Sequence, residues 1–324
     1  MNRRKLMLGI GTAAIAPLVA RAQQTPVLGF LSSRSRIDSE DVLGAFQHGL
    51  RETGFVENRD VTIEYRWADG RYDHLPALAA ELVAHGPVLL VAVGGEPAAV
   101  AAKSATSTVP IVFSIGSDPV RLGLVDTFNH PGGNATGVSI LTTQLEAKRF
   151  GVLHDLVPRA TVVAVLLDAG NPPAERQLGE VQEAAGSVGC RVEPLRAQTE
   201  AELDAAFVLL PRTGAQALLV TASPFFDAHR ERIVGLAAKS RLPTMYQFRS
   251  YVIAGGLISY GTDLTDGYRQ VGRYAGRILK GARPAELPVI ESAKFTLVIN
   301  LKTAKALGLN LPQLLLAQAD EVIE

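Results

Sequence analysis

The chain has 324 residues, with 32 Lys and Arg against 32 Asp and Glu, 47% hydrophobic and only 6% aromatic residues, and a single cysteine. One cysteine excludes an internal disulfide, and the balanced charge without a basic run argues against a nucleic-acid surface. About 300 residues beyond the N-terminal segment are more than one ordinary core needs, so two domains are expected.

The N-terminal segment reads as an export signal. Arg3, Arg4 and Lys5 precede an apolar run from Leu6 to Val19, and Ala20-Arg21-Ala22 offers small residues where a signal peptidase cuts. The run is too short for a helix that spans a ~30 Å hydrocarbon core. Cleavage is expected after Ala22, with no cysteine at the cut to carry a lipid, so residues 1–22 are a signal peptide and the mature chain is free in a periplasm. Loss of Arg3, Arg4, Lys5 and Arg21 leaves it acidic. Arg3-Arg4 also resembles a twin-arginine signal, so the export route stays open between Tat and Sec.

From there strand-like and helix-like segments alternate. Val27 to Leu31 is apolar and ends in Ser32-Ser33; residues 39–53 carry Val42, Leu43, Phe46 and Leu50 on one helical face, with Ser39 as the expected cap. Val61, Ile63, Tyr65 and Trp67 alternate with polar residues as a strand with one wetter face does. Residues 73–85 read as helix. Val88 to Val93 is continuously apolar, the pattern of a strand covered on both faces; Gly94-Gly95-Glu96 then opens a helix from Pro97 to Ser104. Pro110 to Phe113 is a buried strand that ends in Ser114 to Asp118. After a loop from Asn129 to Gly137, Thr143 and Glu146 have capping-box spacing for a helix to Leu156. Val162 to Leu167 ends at Asp168 to Asn171, Thr199 and Glu202 form a second capping box, and Ala217 to Val220 ends at Thr221-Ala222-Ser223-Pro224. Residues 225–240 are helical, Pro243 to Tyr246 and Gly256 to Tyr260 are short strands, and Tyr268 to Leu279 have one apolar helical face. Residues 295–300 form a last strand. The tail beyond Lys302 reads as largely helical, with Asp320-Glu321 on a solvated face.

This alternation specifies α/β architecture with parallel sheets. A weak repeat supports two related halves: Leu89-Leu90-Val91, Ala101 to Ser104 and Pro110 recur in order as Leu218-Leu219-Val220, Ala237 to Ser240 and Pro243. In open parallel sheets ligands bind beyond the carboxyl ends of the strands, where helix N-termini present free N–H groups. Small polar residues and glycines stand at those ends in both halves, and Phe225-Phe226, Tyr246, Phe248 and Tyr260 lie beside the later ones. Catalytic signatures are weak. No Gly-x-Gly-x-x-Gly, P-loop or Gly-x-Ser-x-Gly motif occurs, and the six histidines are scattered without metal-ligand spacing. Pro131 to Asn134 reads as a turn. Cys190 reads as buried structure. No cofactor and no metal site is read from the chain.

Several segments together resemble ABC transporter substrate-binding proteins of the tryptophan/tyrosine-transport type. They are G-F-L-S-S at Gly29, G-F-V-E-N-R-D-V-T-I-E-Y-R-W-A-D-G at Gly54, L-P-A-L-A-A-E-L-V at Leu75, P-I-V-F-S-I-G-S-D-P-V at Pro110, P-G-G-N-A-T-G-V-S at Pro131, G-G-L-I-S-Y-G at Gly255 and K-F-T-L-V-I-N-L-K-T-A-K-A-L-G-L at Lys294. The resemblance implies a type I periplasmic-binding fold: two Rossmann-like lobes with parallel sheets, joined by a multi-strand hinge, closing on a small-molecule solute. It also implies an inner-membrane permease and its ATPase as partners. A monomer is expected, with lobe one at residues 24–138 plus 258–285, lobe two at 139–257 plus 286–324, and the hinge near Val138 and Ile258. The positions that match the family's cleft are Ser32, Ser33, Gly95, Glu96, Ser117, Asp118, Asn171, Ser223, Tyr246 and Tyr260. A carboxylate at Glu96 would repel an anionic ligand or pair with an amine. The alternatives are an exported enzyme using Asp118, Glu96 or Asp168 as acid or base, and a sensor that presents its liganded form to a membrane receptor.

Overall fold

The computed structural model describes residues 25–292 and 294–324, so the export-signal reading lies outside the described residues. The first half supplies β1 (Val27–Ser32), α1 (Glu40–Glu52), β2 (Thr62–Trp67), α2 (Leu75–Ala84), β3 (Leu89–Val93), α3 (Glu96–Ala105), β4 (Ile111–Ile115) and β5 (Ala135–Ser139). Then come α4 (Glu146–Leu156), β6 (Val162–Asp168), α5 (Ala174–Ser187), β7 (Arg191–Ala197), α6 (Glu200–Leu209), β8 (Ala217–Val220), α7 (Pro224–Ala228), α8 (Arg230–Ser240), β9 (Thr244–Tyr246) and α9 (Arg249–Ile253). The last part holds β10 (Ile258–Thr262), α10 (Leu264–Leu279), β11 (Ile290–Glu291), β12 (Phe295–Asn300), α11 (Leu301–Ala306), α12 (Gln313–Gln318) and β13 (Glu321–Ile323).

Two sheets result. One has the order β11-β5-β4-β3-β1-β2, the other β13-β12-β10-β9-β8-β6-β7. Every pairing is parallel except β10 with β12. The continuously apolar strands β3 and β8, and β4 with its single Ser114, are buried along their whole length, because helices cover both faces of each sheet. Each sheet has two apolar layers. In the first, Phe30, Phe46, Val91 and Val271 pack on one face and Leu31, Leu90, Ala99 and Phe113 on the other.

The expected division of the chain differs from the strand pairing near its end. Ile258–Thr262 bonds to β9 and β12 in the second sheet, and Ile290–Glu291 bonds to β5 in the first. The chain therefore crosses between sheets after β5, after β10 and after β11. Between the last two crossings α10 returns to the first sheet and packs on α1. The helices can approach because Gly49, Gly272 and Gly276 carry no side chain; a Cβ at Gly49 would lie 1.9 Å from the Arg269 carbonyl oxygen. At the rim of this contact Arg269 and Arg273 both hold Glu52, and their hydrogen bonds lower its carboxyl to about 2.

Three local expectations are corrected. Ser39 does not cap α1; its hydroxyl donates to the Ser35 carbonyl. Thr143 and Glu146 form no capping box, since Thr143 donates to the Gly116 carbonyl and Glu146 turns inward to a buried arginine. The end of the chain is not wholly helical: β13 adds beside β12, with Asp320 accepting from Leu297 N and Glu321 paired with Arg249. The second box does form its threonine half, Thr199 accepting from Glu202 N. Cys190 is buried, and burial pushes its thiol up. No helix of the described residues is long and apolar enough to cross a membrane.

Candidate functional site

The carboxyl ends of both sheets face one another, and between them lies a cavity of about 50 Å³. Its first-sheet wall comes from Arg34 after β1, Gly94-Gly95-Glu96 after β3, and Ser114 to Gly116 at the end of β4. Ala222-Ser223-Pro224 after β8, Asp227 on α7 and Phe248 face them from the second. Ile140, Thr142 and Thr143 from the first crossing, with Leu264 and Tyr268 from α10, complete it. Gly94 and Gly95 have φ of 83° and 102°, which favour glycine. A Cβ at Gly95 would also lie 2.9 Å from Pro224 Cγ on the opposite wall. Gly95 thus lets the two walls close to van der Waals contact, while Gly94 leaves room for Ser32, Ser33 and Arg34 on its own wall.

Polar contacts hold the walls together. Arg34, buried, pairs with the buried Asp227 across the cleft, while its Nη2 donates to the Asp38 carbonyl (2.8 Å) and its Nε to Ser39 Oγ (3.3 Å). Burial lowers the Arg34 pKa from its usual value. Beside this pair Arg230 approaches Asp38 at 3.5 Å. Tyr72, in the turn before α2, donates to Asp168 Oδ2 at the end of β6 (2.8 Å) and accepts from Phe225 N (3.0 Å). Burial raises the Asp168 carboxyl, while hydrogen bonds from Ser223 and Tyr72 oppose the rise. Burial, then the neighbouring Asp168, push the Tyr72 phenol well above its ordinary value, so it is a neutral donor at this contact. Arg176 on α5 donates to Ser117 Oγ (3.1 Å) and Thr143 Oγ1 (3.2 Å).

These bonds predict an effect of Tyr72→Phe. The change removes one donor and one acceptor from buried partners and costs the closed arrangement about 1–3 kcal/mol. Small-angle scattering of the unliganded protein should show a larger radius of gyration than wild type; an unchanged profile would mean that Tyr72 does not hold the lobes.

Of the ten residues expected at the cleft, Gly95, Glu96 and Ser223 line the cavity. Ser117 stands behind it, donating to Glu96 Oε1, which also accepts from Gly116 N (3.1 Å). Ser32 and Ser33 are buried next to Arg34, Ser32 Oγ accepting from Arg34 N (3.1 Å). Asn171 is buried and donates to the Ala222 carbonyl (3.3 Å). Asp118 turns back on its own loop to accept from Val120 N (2.8 Å). Tyr246 and Tyr260 are not on the cavity wall. Tyr246 stacks on Tyr251 inside the second lobe's core, with ring centroids 4.9 Å apart. Tyr260 packs near Phe295, its carbonyl accepting from Arg149 Nε (2.7 Å). Sequence reasoning missed Arg34, Asp227, Tyr72 and Tyr268. Arg34 and Asp227 each lie within four residues of a strand end already singled out, so charge at those ends was the available signal. Among the described residues no group of three His, Cys, Asp or Glu side chains is placed to hold a metal ion.

The model of one protein family, described as ABC transporter substrate binding protein, matches residues 24–323. A tyrosine-binding protein of Clostridioides difficile (strain R20291) is 24% identical over 275 residues, which cover 82% of this chain and 75% of that one. Among solved structures, the ABC domain in complex with L-Trp from Streptococcus pneumonia is 26% identical, covers 92% of this chain and 100% of its own, and superimposes with a TM-score of 0.83. A conserved domain protein of Vibrio cholerae O1 biovar El Tor has the same fold, at 24% identity, the same coverages and a TM-score of 0.84.

Proposed function

Because the chain belongs to the ABC transporter substrate binding protein family and is a solute receptor, we propose that it captures an amino-acid-like solute, polar or aromatic, between two closing lobes. It then delivers that solute to an inner-membrane permease driven by its ATPase. Lobe one comprises residues 25–139 and 264–291, lobe two 140–263 and 294–324, and the three crossings between sheets are the hinge. The observation that carries the reading is the cavity walled by strand ends of both sheets, with Arg34, Tyr72 and Arg176 each bonded across it. Cargo that touches both walls stabilises only the closed form, and so shifts the equilibrium toward it. Gly95, Glu96 and Ser223 contact the cargo directly, with Ser32, Ser33, Ser117 and Asn171 supporting them. The tyrosine- and L-Trp-binding relatives support an amino-acid-like cargo. The receptor works as a monomer in the periplasm after removal of residues 1–22, and it binds without turnover.

Mass spectrometry of the natively purified protein is expected to find a small molecule at one per chain. Adding that compound to stripped protein should shrink the particle in solution scattering. An unchanged profile, or chemical conversion of the compound, would refute the reading.

A further inference from the structure

Two carboxyl groups and one guanidinium line the cavity, those of Glu96, Asp227 and Arg34. With all three ionised, two carboxylates face one guanidinium and the wall carries one net negative charge. The carboxylates are not equivalent. Glu96 Oε1 already accepts from Gly116 N and from Ser117 Oγ on its own wall. Asp227 comes from the other lobe, is 1% exposed, and has its Oδ2 against Arg34 while its Oδ1 has no partner among the described residues. A buried carboxylate oxygen without a donor is costly, and removing the guanidinium paired with the other oxygen costs more. Arg230 next to it donates to the Asp227 backbone carbonyl (3.2 Å) and approaches Asp38, and makes no bond to this carboxylate. Arg34 reaches Asp227 only when the lobes meet.

Resting on the proposed function, we infer that Asp227 is the cation-specificity residue of the cleft and that Arg34 is a resident stand-in that neutralises it when the cleft closes empty. The cargo carries a protonated basic nitrogen, which takes Asp227 Oδ1. Ser114 Oγ and Tyr268 OH, buried on the first-lobe side without partners, supply donors for an acceptor at the cargo's other end. A cargo with an anion but no cation would leave Asp227 short of a donor and add charge to a negative wall.

The test replaces the stand-in. Arg34→Ala leaves Asp227 without its guanidinium, and methylammonium chloride should then raise the melting temperature above that in sodium chloride of equal ionic strength. The rise should saturate, and at ten-fold saturation of one site should reach about 2–4 °C. The Arg34→Ala/Asp227→Asn double variant should respond equally to both salts. Equal responses of the single variant to the two salts, or a methylammonium response that survives in the double variant, would overturn the inference. Should Arg34→Ala not fold, Asp227→Asn in the otherwise intact protein serves instead. Wild type should co-purify with a compound that contains a basic nitrogen, and Asp227→Asn should lose it; a wild-type compound without such a nitrogen, or one retained by Asp227→Asn, is the overturning result. Methylammonium rescue in a protein that no solute closes would leave this inference standing and refute the proposed function. A protein closed by its own cargo but indifferent to Asp227 would do the reverse.

Discussion

Arg149→Ala is expected to lower the stability of the second lobe by about 3–5 kcal/mol, the range for removing one partner of a buried ion pair. Arg149 and Glu146 stand one turn apart on α4, both with fully buried side chains, 2.9 Å from Nη1 to Oε1. Glu146 Oε1 also accepts from Gln177 Nε2 (2.8 Å) and from Ala222 N (3.0 Å), and Gln177 donates to the Ala222 carbonyl (3.0 Å). Arg149 Nε donates to the Tyr260 carbonyl of β10 (2.7 Å). One buried cluster thus fixes both the hinge strand and the backbone of a cavity-lining residue. Without the guanidinium, the carboxylate is buried with only neutral donors. The chain's one tryptophan, Trp67, lies on β2 of the first sheet against Phe30 and Tyr65, so its fluorescence follows that lobe while far-ultraviolet circular dichroism follows both. In urea the variant should lose part of its ellipticity roughly 1–2 M earlier than wild type, with the Trp67 midpoint little changed. Two curves that both match wild type would remove the cluster from the stability of the fold. A double variant, Arg149→Met with Glu146→Gln, should recover part of the loss, because the glutamine carbonyl still accepts from Ala222 N and no lone charge remains.

This cluster also shows what local spacing cannot express. Thr143 and Glu146 have the spacing of a capping box, and the rule assumes that the glutamate has nothing better to do than reach back to its own helix end. A buried arginine one turn later wins, since charge-assisted bonds in a dry interior outweigh an exposed cap. The alternation of strands and helices was legible because apolar runs and helical faces are local properties, and both sheets follow from it. The cleft was legible as a set of strand ends, and Gly95, Glu96 and Ser223 do face it. The residues that hold the lobes shut were not: Arg34 and Asp227 are 193 positions apart, and Tyr72 and Asp168 are 96 apart. Tyr246 illustrates the opposite error. An aromatic residue past a strand end reads alike whether it points to a cleft or a core. Here β9 pairs Tyr246 with Ser259, and the ring lies beside Tyr251 of α9. The short β13 escaped because three residues are too few for an alternation that a window can detect.

Gly261→Ala and Gly137→Ala should each cost about 3 kcal/mol or more, at the upper end of what overpacking does, because the obstacle is backbone rather than a side chain that can turn away. Both glycines lie on strands that lead into a crossing, and both belong to the segments that carried the family resemblance. A Cβ on Gly261 would stand 1.9 Å from the Gln247 carbonyl oxygen, and one on Gly137 would stand 2.1 Å from that of Phe113. Neither has the positive φ that favours glycine, so the requirement is room alone. The Thr262 hydroxyl, one residue on, donates to the Ile140 carbonyl at 2.5 Å and ties the two crossings together. Gly179 on α5 and Gly235 on α8 are the controls: a Cβ there meets nothing within 4 Å, and alanine at either should stabilise by about 0.5–1 kcal/mol through helix propensity. Thermal unfolding of the four variants should therefore move in opposite directions for the same substitution. The strands meet backbone to backbone at these points, so relative motion of the lobes is expected at the peptides of the three crossings, after Ser139, Thr262 and Glu291, rather than within the sheets. A Gly261→Ala protein that melts with wild type would mean that β10 slides freely against residue 247. The hinge would then run through the strand itself, and Phe248, the next residue on that cavity wall, would move with it.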